Sequence, residues 1–100
     1  LNPDNAAAYN HLGIVHRQRG DFKKAQDAYR QALKIEPDYA LAHRNLGILY
    51  DLYMGDLSRA LKHYERYQAL TGGDDRQVDK WIVDLKRRDT AQHQTGDDRG

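Results

Sequence analysis

Residues 35–48 read IEPDYALAHRNLGI, and residues 1–14 read LNPDNAAAYNHLGI. The second phrase is the first in a slightly different spelling: Pro3 and Pro37, Leu12 and Leu46, and Gly13 and Gly47 are each separated by 34 positions. A fixed period of this length marks a repeat array, in which each copy is one supersecondary unit that buries its apolar face only by stacking on a neighbour. The fold therefore follows from what lies inside one period.

Between the two phrases stands GDFKKAQDAYRQALKIEPD, residues 20–38. Phe22, Ala25, Ala28, Tyr29, Ala32, Leu33 and Ile35 recur at three- and four-residue spacing, the pattern of an amphipathic helix. Gly20-Asp21 supplies a turn and an acidic N-cap for that helix, because a carboxylate can accept from its unpaired first N–H groups. Pro37 ends it, lacking an N–H and pushing Glu36 out of the helical region. Upstream, Ala6 to Arg19 forms another helix with Tyr9, Leu12, Gly13 and His16 on one face. One period is thus helix, turn, helix, and a proline-marked turn.

The second period carries one extra residue: LYMGDLSRA (52–60) stands where the first has QRGDFKKA (18–25). The first helix of this copy is expected to absorb it near Met54. Its second helix runs from about Leu57 to Leu70 and stops at Thr71-Gly72-Gly73, where a glycine can take the left-handed conformation that closes helices. A fifth helix starts at Asp74 or Asp75, with Val78, Trp81, Ile82 and Leu85 at i, i+3, i+4 and i+7 forming one apolar stripe. From about Thr90 onward, TAQHQTGDDRG has almost no apolar residues and is expected to be disordered.

Composition removes several function classes. Hydrophobic residues make up 39% and charged residues 31%, and the mean hydropathy is −0.98, describing a surface-rich chain with a thin core. The net charge of +1 gives no electrostatic footprint for nucleic acid, which shows as a strongly basic face. No apolar run approaches the roughly 20 residues of a membrane span. Without cysteine there is no disulfide or thiolate chemistry in this sequence, and the compartment is left open.

The combination of a large residue, Leu-Gly, an aromatic-type position, then Ala, an aromatic four residues on, and Pro resembles the tetratricopeptide repeat (TPR). The first copy reads Tyr9, Leu12-Gly13, His16, Ala25, Tyr29, Pro37; the second reads His43, Leu46-Gly47, Tyr50, Ala60, Tyr64, with Gly72-Gly73 replacing the proline. Small residues at Gly13, Ala25, Gly47 and Ala60 let paired helices approach. Ala32 completes that small-residue face, whereas its counterpart is Tyr67, which implies altered packing at the end of the array. The resemblance implies an all-α, right-handed α-solenoid of two helix-turn-helix repeats plus a C-terminal capping helix. Residues 1–5 read as the last turn of a preceding repeat, 6–39 and 40–73 as the two repeats, 74–90 as the cap and 91–100 as a tail. The chain is thereby expected to be the C-terminal fragment of a longer TPR protein. A terminal helix with one polar face suits the end of a solenoid, and Asp79, Lys80, Asp84, Lys86 and Arg87 give the Trp81 helix such a face.

The resemblance also implies a function: a scaffold that binds a peptide or helix of a partner protein in a concave groove lined by the first helix of each repeat. Carried over position by position, the groove comprises Ala7, Asn10, Ile14, Arg17, Leu41, Arg44, Ile48 and Asp51. Ile14 and Ile48 would form an apolar floor, ringed by Asn10, Arg17 and Arg44 as donors. The bland alternative for all eight is solvated or inter-repeat packing. A carboxylate clamp of the kind some TPR domains use is not expected, since only Asn45 matches it, while Asn10 and Ile14 stand where Lys and Asn would be needed.

No catalytic residues, cofactor or metal site are expected. His11 and His16 are five apart, and no histidine pair sits at i, i+4, so the five histidines do not suggest ligation. Lys86, Arg87 and Arg88 sit at a helix end, where they complement the dipole. Neither a nucleophile-and-base set nor a phosphate loop is present. Two alternatives to a peptide-binding module are a helical-repeat RNA-binding fragment and a non-catalytic appendage of an enzyme elsewhere in a parent chain. One further expectation concerns the N-terminal edge: Ala8, Leu12 and Val15 would be partly uncovered there, favouring a homodimer through that edge.

Overall fold

The computed structural model describes residues 4–99, the side chains of 92–99 excepted. Five helices follow one another: α1 (Ala6–Gln18), α2 (Phe22–Ile35), α3 (Ala40–Ile48), α4 (Leu57–Thr71) and α5 (Arg76–Arg99), and no strand occurs among the described residues. α3 runs without a break into a π-helical segment, Leu49–Met54. α1 pairs with α2 and α3 with α4, and α5 packs on α4.

Each boundary has a local cause. Asn5 caps α1, its Oδ1 accepting from the N–H of Ala8 at 3.0 Å. The two acidic positions before α2 and α4 behave differently. Asp56 caps α4, accepting from the Arg59 N–H at 3.1 Å, whereas Asp21 stands at the N-cap of α2 with no side-chain cap hydrogen bond, so the side-chain cap expected of Asp21 does not form. Asp21 contributes its backbone carbonyl to Ala25 instead, at 2.9 Å. α4 stops where Gly72 turns left-handed (φ 74°), as the Thr-Gly-Gly sequence requires. Asp75 opens α5, its Oδ1 accepting from the N–H groups of Gln77 and Val78. The helical assignment of α5 passes the end expected near Thr90, there being no proline or glycine before Gly96 to stop it. The side chains on which a judgement of order beyond Ala91 would rest lie outside the described residues.

The glycines of the Leu-Gly pairs have one specific job. A Cβ on Gly13 would fall 2.5 Å from the ring of Tyr29, and a Cβ on Gly47 would overlap the ring of Tyr64. Each ring lies flat against helix backbone, which is how α1 meets α2 and α3 meets α4.

The core is continuous from α2 to α5: Ala25, Tyr29, Leu46, Leu49, Tyr50, Ala60, Tyr64 and Tyr67 join Val78, Ile82 and Leu85. Burying each of the last three contributes on the order of 1.5–3 kcal/mol, while an exposed pair such as Lys86–Glu65 adds at most about 1 kcal/mol. Apolar burial therefore docks α5, and polar contacts set how it is turned. Tyr67 takes part in both. It is buried where Ala32 in the first pair packs on Ala42, and its hydroxyl donates to Asp75 Oδ2 at 2.9 Å.

The extra residue of the second period is taken up by the π-helical segment. A π turn spends one more residue than an α turn, and the N–H groups of Gly55 and Asp56 both reach back to the carbonyl of Tyr50. Its surplus bulges outward, leaving Leu52, Tyr53 and Met54 exposed, with Tyr53 stacked on Phe22 at 4.8 Å between centroids.

Candidate functional site

The first helices of the two pairs carry the eight groove positions, and the structure separates them into three kinds. Ala7 and Leu41 are exposed, Leu41 at 51%. Ile14 and Ile48 are half-buried and rest against the main core. The polar positions are engaged within the chain, which corrects the expectation of a ring of available donors. Asn10 is buried, and its Oδ1 accepts from Asn45 Nδ2 at 2.9 Å, tying α1 to α3. That same bond occupies the single residue that matched a carboxylate clamp.

Arg44 reaches α5. Its Nε lies 3.6 Å from Asp75, its Nη2 donates to Gln77 at 3.5 Å, and its guanidinium sits 5.2 Å from the ring centroid of Trp81. Asp51 has a side chain only 6% exposed, paired with Arg88 at 2.9 Å and accepting from the Tyr64 hydroxyl at 3.3 Å. Burial, and then the adjacent Asp51 carboxylate, push the Tyr64 phenol well above its ordinary range. Arg17, at the Asp51-equivalent place in the first pair, is half-buried and faces the hydroxyl groups of Tyr29 and Tyr53. The Tyr29 hydroxyl itself is buried without a partner at bonding geometry.

One residue of this surface escapes a strict 34-residue count. Once the extra residue in the π-helical segment is included, Ile14 and Ile48 have their third counterpart at Val83 on α5. Val83 is 57% exposed. The signal is present in the sequence but needs a step of 35 for the second interval. Ile14, Ile48 and Val83 thus form one register row across α1, α3 and α5.

Two histidines that share no sequence spacing meet in space. His43 Nε2 lies 2.8 Å from the carbonyl of Pro37, which can only accept, so Nε2 carries the proton. In neutral His43 the other nitrogen must then accept, and it does so from His63 Nδ1 at 3.1 Å. Burial first, then His43 and the neighbouring cations, push His63 down to about 4; burial likewise lowers His43. The pair is neutral and structural, and no cluster of three or more metal-ligating side chains exists among the described residues.

Successive antiparallel helix pairs, with glycine against tyrosine inside each and a capping helix behind, define a helical-repeat protein. A family model described as TPR repeat matches residues 15–52, from the middle of α1 into the π-helical segment, and supports a tetratricopeptide-repeat assignment. Repeats of this family are typically non-catalytic, and the chain is a protein–protein interaction module in that general sense. Among the described residues no helix is long and apolar enough to cross a membrane.

Proposed function

We propose that the partner is a peptide or helix held on the face formed by α1, α3 and α5, through apolar contacts more than through a charged clamp. The observation that carries this reading is the row Ile14, Ile48 and Val83, flanked by exposed Leu41. Its half-buried isoleucines are fixed by the core, while Leu41 and Val83 stand free to be covered. The surrounding charges, Arg44 and Asp51, are already paired within the chain, so a partner would gain little by competing for them. An aliphatic side of an amphipathic helix fits such a surface.

The test begins with a peptide selected from a displayed random library against the protein. Calorimetry then compares the wild type with Leu41→Glu and Val83→Glu, both exposed positions at which circular dichroism should not change. At least tenfold weaker binding in each variant is expected. Equal affinity would mean the peptide sits elsewhere.

Self-association through the N-terminal edge is a second reading. A shallow cleft there, between α1 and α2, is lined by Tyr9, Leu12, His16 and Ala28 together with the polar Lys24, Asp27 and Gln31. Sedimentation should report a dimer that Val15→Lys weakens; a monomer up to millimolar concentration would end the idea.

A further inference from the structure

The cleft between α2 and α4 shares no residue with the groove positions. Its volume is about 470 Å³, and its rim carries Arg30 and Lys34 from α2 facing Arg59 and Lys62 from α4. Tyr50 and Leu33 contribute aromatic and aliphatic wall. Arg30 and Lys34 are one turn apart on one helix, as are Arg59 and Lys62 on the other, and like charges at such spacing repel. Among the described residues Arg30, Lys34 and Lys62 make no ion pair; Arg59 alone has a counter-charge, Asp56 at 3.5 Å. The chain thus gathers four cations around one concavity while its net charge is only +1. The unfavourable proximity is relieved by a ligand that brings negative charge to both walls.

We propose that this cleft binds a short acidic segment of a partner protein, with adjacent carboxylates bridging the α2 and α4 cations. Two features favour a peptide over other anions. A lone phosphate ion is small against a cleft of about 470 Å³ whose cations stand on two helices. A long polyanion such as RNA would run onto exposed carboxylates: Asp27 is one turn before Arg30, and Glu65 one turn after Lys62. Charge complementarity is therefore confined to a few residues' length, which suits a peptide with two or more consecutive acidic side chains. The cleft also borders His63, whose ring is held neutral partly by the field of Lys62, Arg30 and Arg59, so His63 reports on any anion that neutralises them.

The experiment uses a labelled hexaglutamate peptide, with hexaglutamine, inorganic phosphate and oligouridylate as comparisons. Hexaglutamate should bind and hexaglutamine should not, with affinity falling as salt rises. Lys34→Glu and Lys62→Glu, both exposed positions, should each weaken binding at least tenfold with circular dichroism unchanged. In nuclear magnetic resonance titrations, bound hexaglutamate should raise the protonation midpoint of His63. Leu41→Glu should leave hexaglutamate binding unaltered, so failure of this cleft and failure of the α1–α3–α5 face are read separately. Unchanged affinity in the lysine variants, binding of phosphate without binding of the peptide, or tighter binding of oligouridylate than of the peptide would each overturn the proposal.

Discussion

Arg44 on α3 holds Trp81 of α5 beneath its guanidinium, 5.2 Å from the ring centroid, while its Nε faces Asp75 at 3.6 Å. A side chain that sequence position alone assigns to a binding groove is therefore a strut between the last repeat and its cap. Arg44→Glu should loosen that cap, because it removes a cation–π contact and sets a carboxylate beside Asp75. The expected loss is about 1–2 kcal/mol, measured by urea unfolding, with a red shift of Trp81 emission. Unchanged stability and emission would mean that the strut carries no load.

Gly47 gives a prediction whose sign opposes helix propensity. On an open helix, Gly→Ala gains up to about 1 kcal/mol. Here the new methyl group would enter the Tyr64 ring, a wall that cannot retreat because it is buried against α5. Gly47→Ala should cost about 1–3 kcal/mol, and Gly47→Leu more. A melting temperature that rises in Gly47→Ala would contradict the close approach of α3 and α4.

The histidine pair makes stability depend on acid. His43 and His63 stay neutral in the folded chain, their pKa values lowered by burial, whereas in the unfolded chain each titrates near its ordinary 6.5. Between pH 6.5 and about 4 the unfolded state binds more protons, so stability falls as pH falls through that window and is level above it. For His63 alone the loss has a ceiling of about 3 kcal/mol. Urea unfolding at pH 7 and 4.5 measures it, and His63→Gln, which can still donate to His43, should flatten the slope. An identical slope in that variant would remove His63 as the cause.

Deleting Leu52 should convert the π-helical segment into ordinary α-helix. Leu52 is 67% exposed, so its removal takes little from the core, and the period returns to 34. The melting temperature is expected to shift by only a few degrees, with helix content retained. An unfolded deletion variant would show that the bulge is required for the register of α4.

Much of this fold is written in local signals. The Leu12-Gly13 and Leu46-Gly47 pairs, Pro37 and Gly72 specify helix pairs and their ends through backbone conformation, which any reader of neighbouring residues can follow. The extra residue near Met54 was legible as a count, but its form was not, because a π turn and a longer turn spend the same residue. The groove was legible only as a set of positions. Whether Asn10, Arg44 and Asp51 are free depends on Asn45, Asp75 and Arg88, which lie some 35 residues away and on helices whose relative rotation no local pattern sets. The His43–His63 contact is hidden for the same reason, as is the convergence of Arg30 and Lys34 with Arg59 and Lys62.

The exchange of Ala32 for Tyr67 gives the chain a direction. Ala32 leaves room for the Ala42 of a following helix, so the first unit is a link that accepts another link after it. Tyr67 fills that room and offers its hydroxyl to Asp75, a residue only the cap provides. A tandem of first units should polymerise in one dimension as far as it is written. A tandem of second units should not, because each Tyr67 would meet the Ala42 of the next copy where two small side chains are needed. The two units therefore differ in what they receive: the first takes a small-residue helix such as α3, and the second takes α5 through Tyr67 and Asp75.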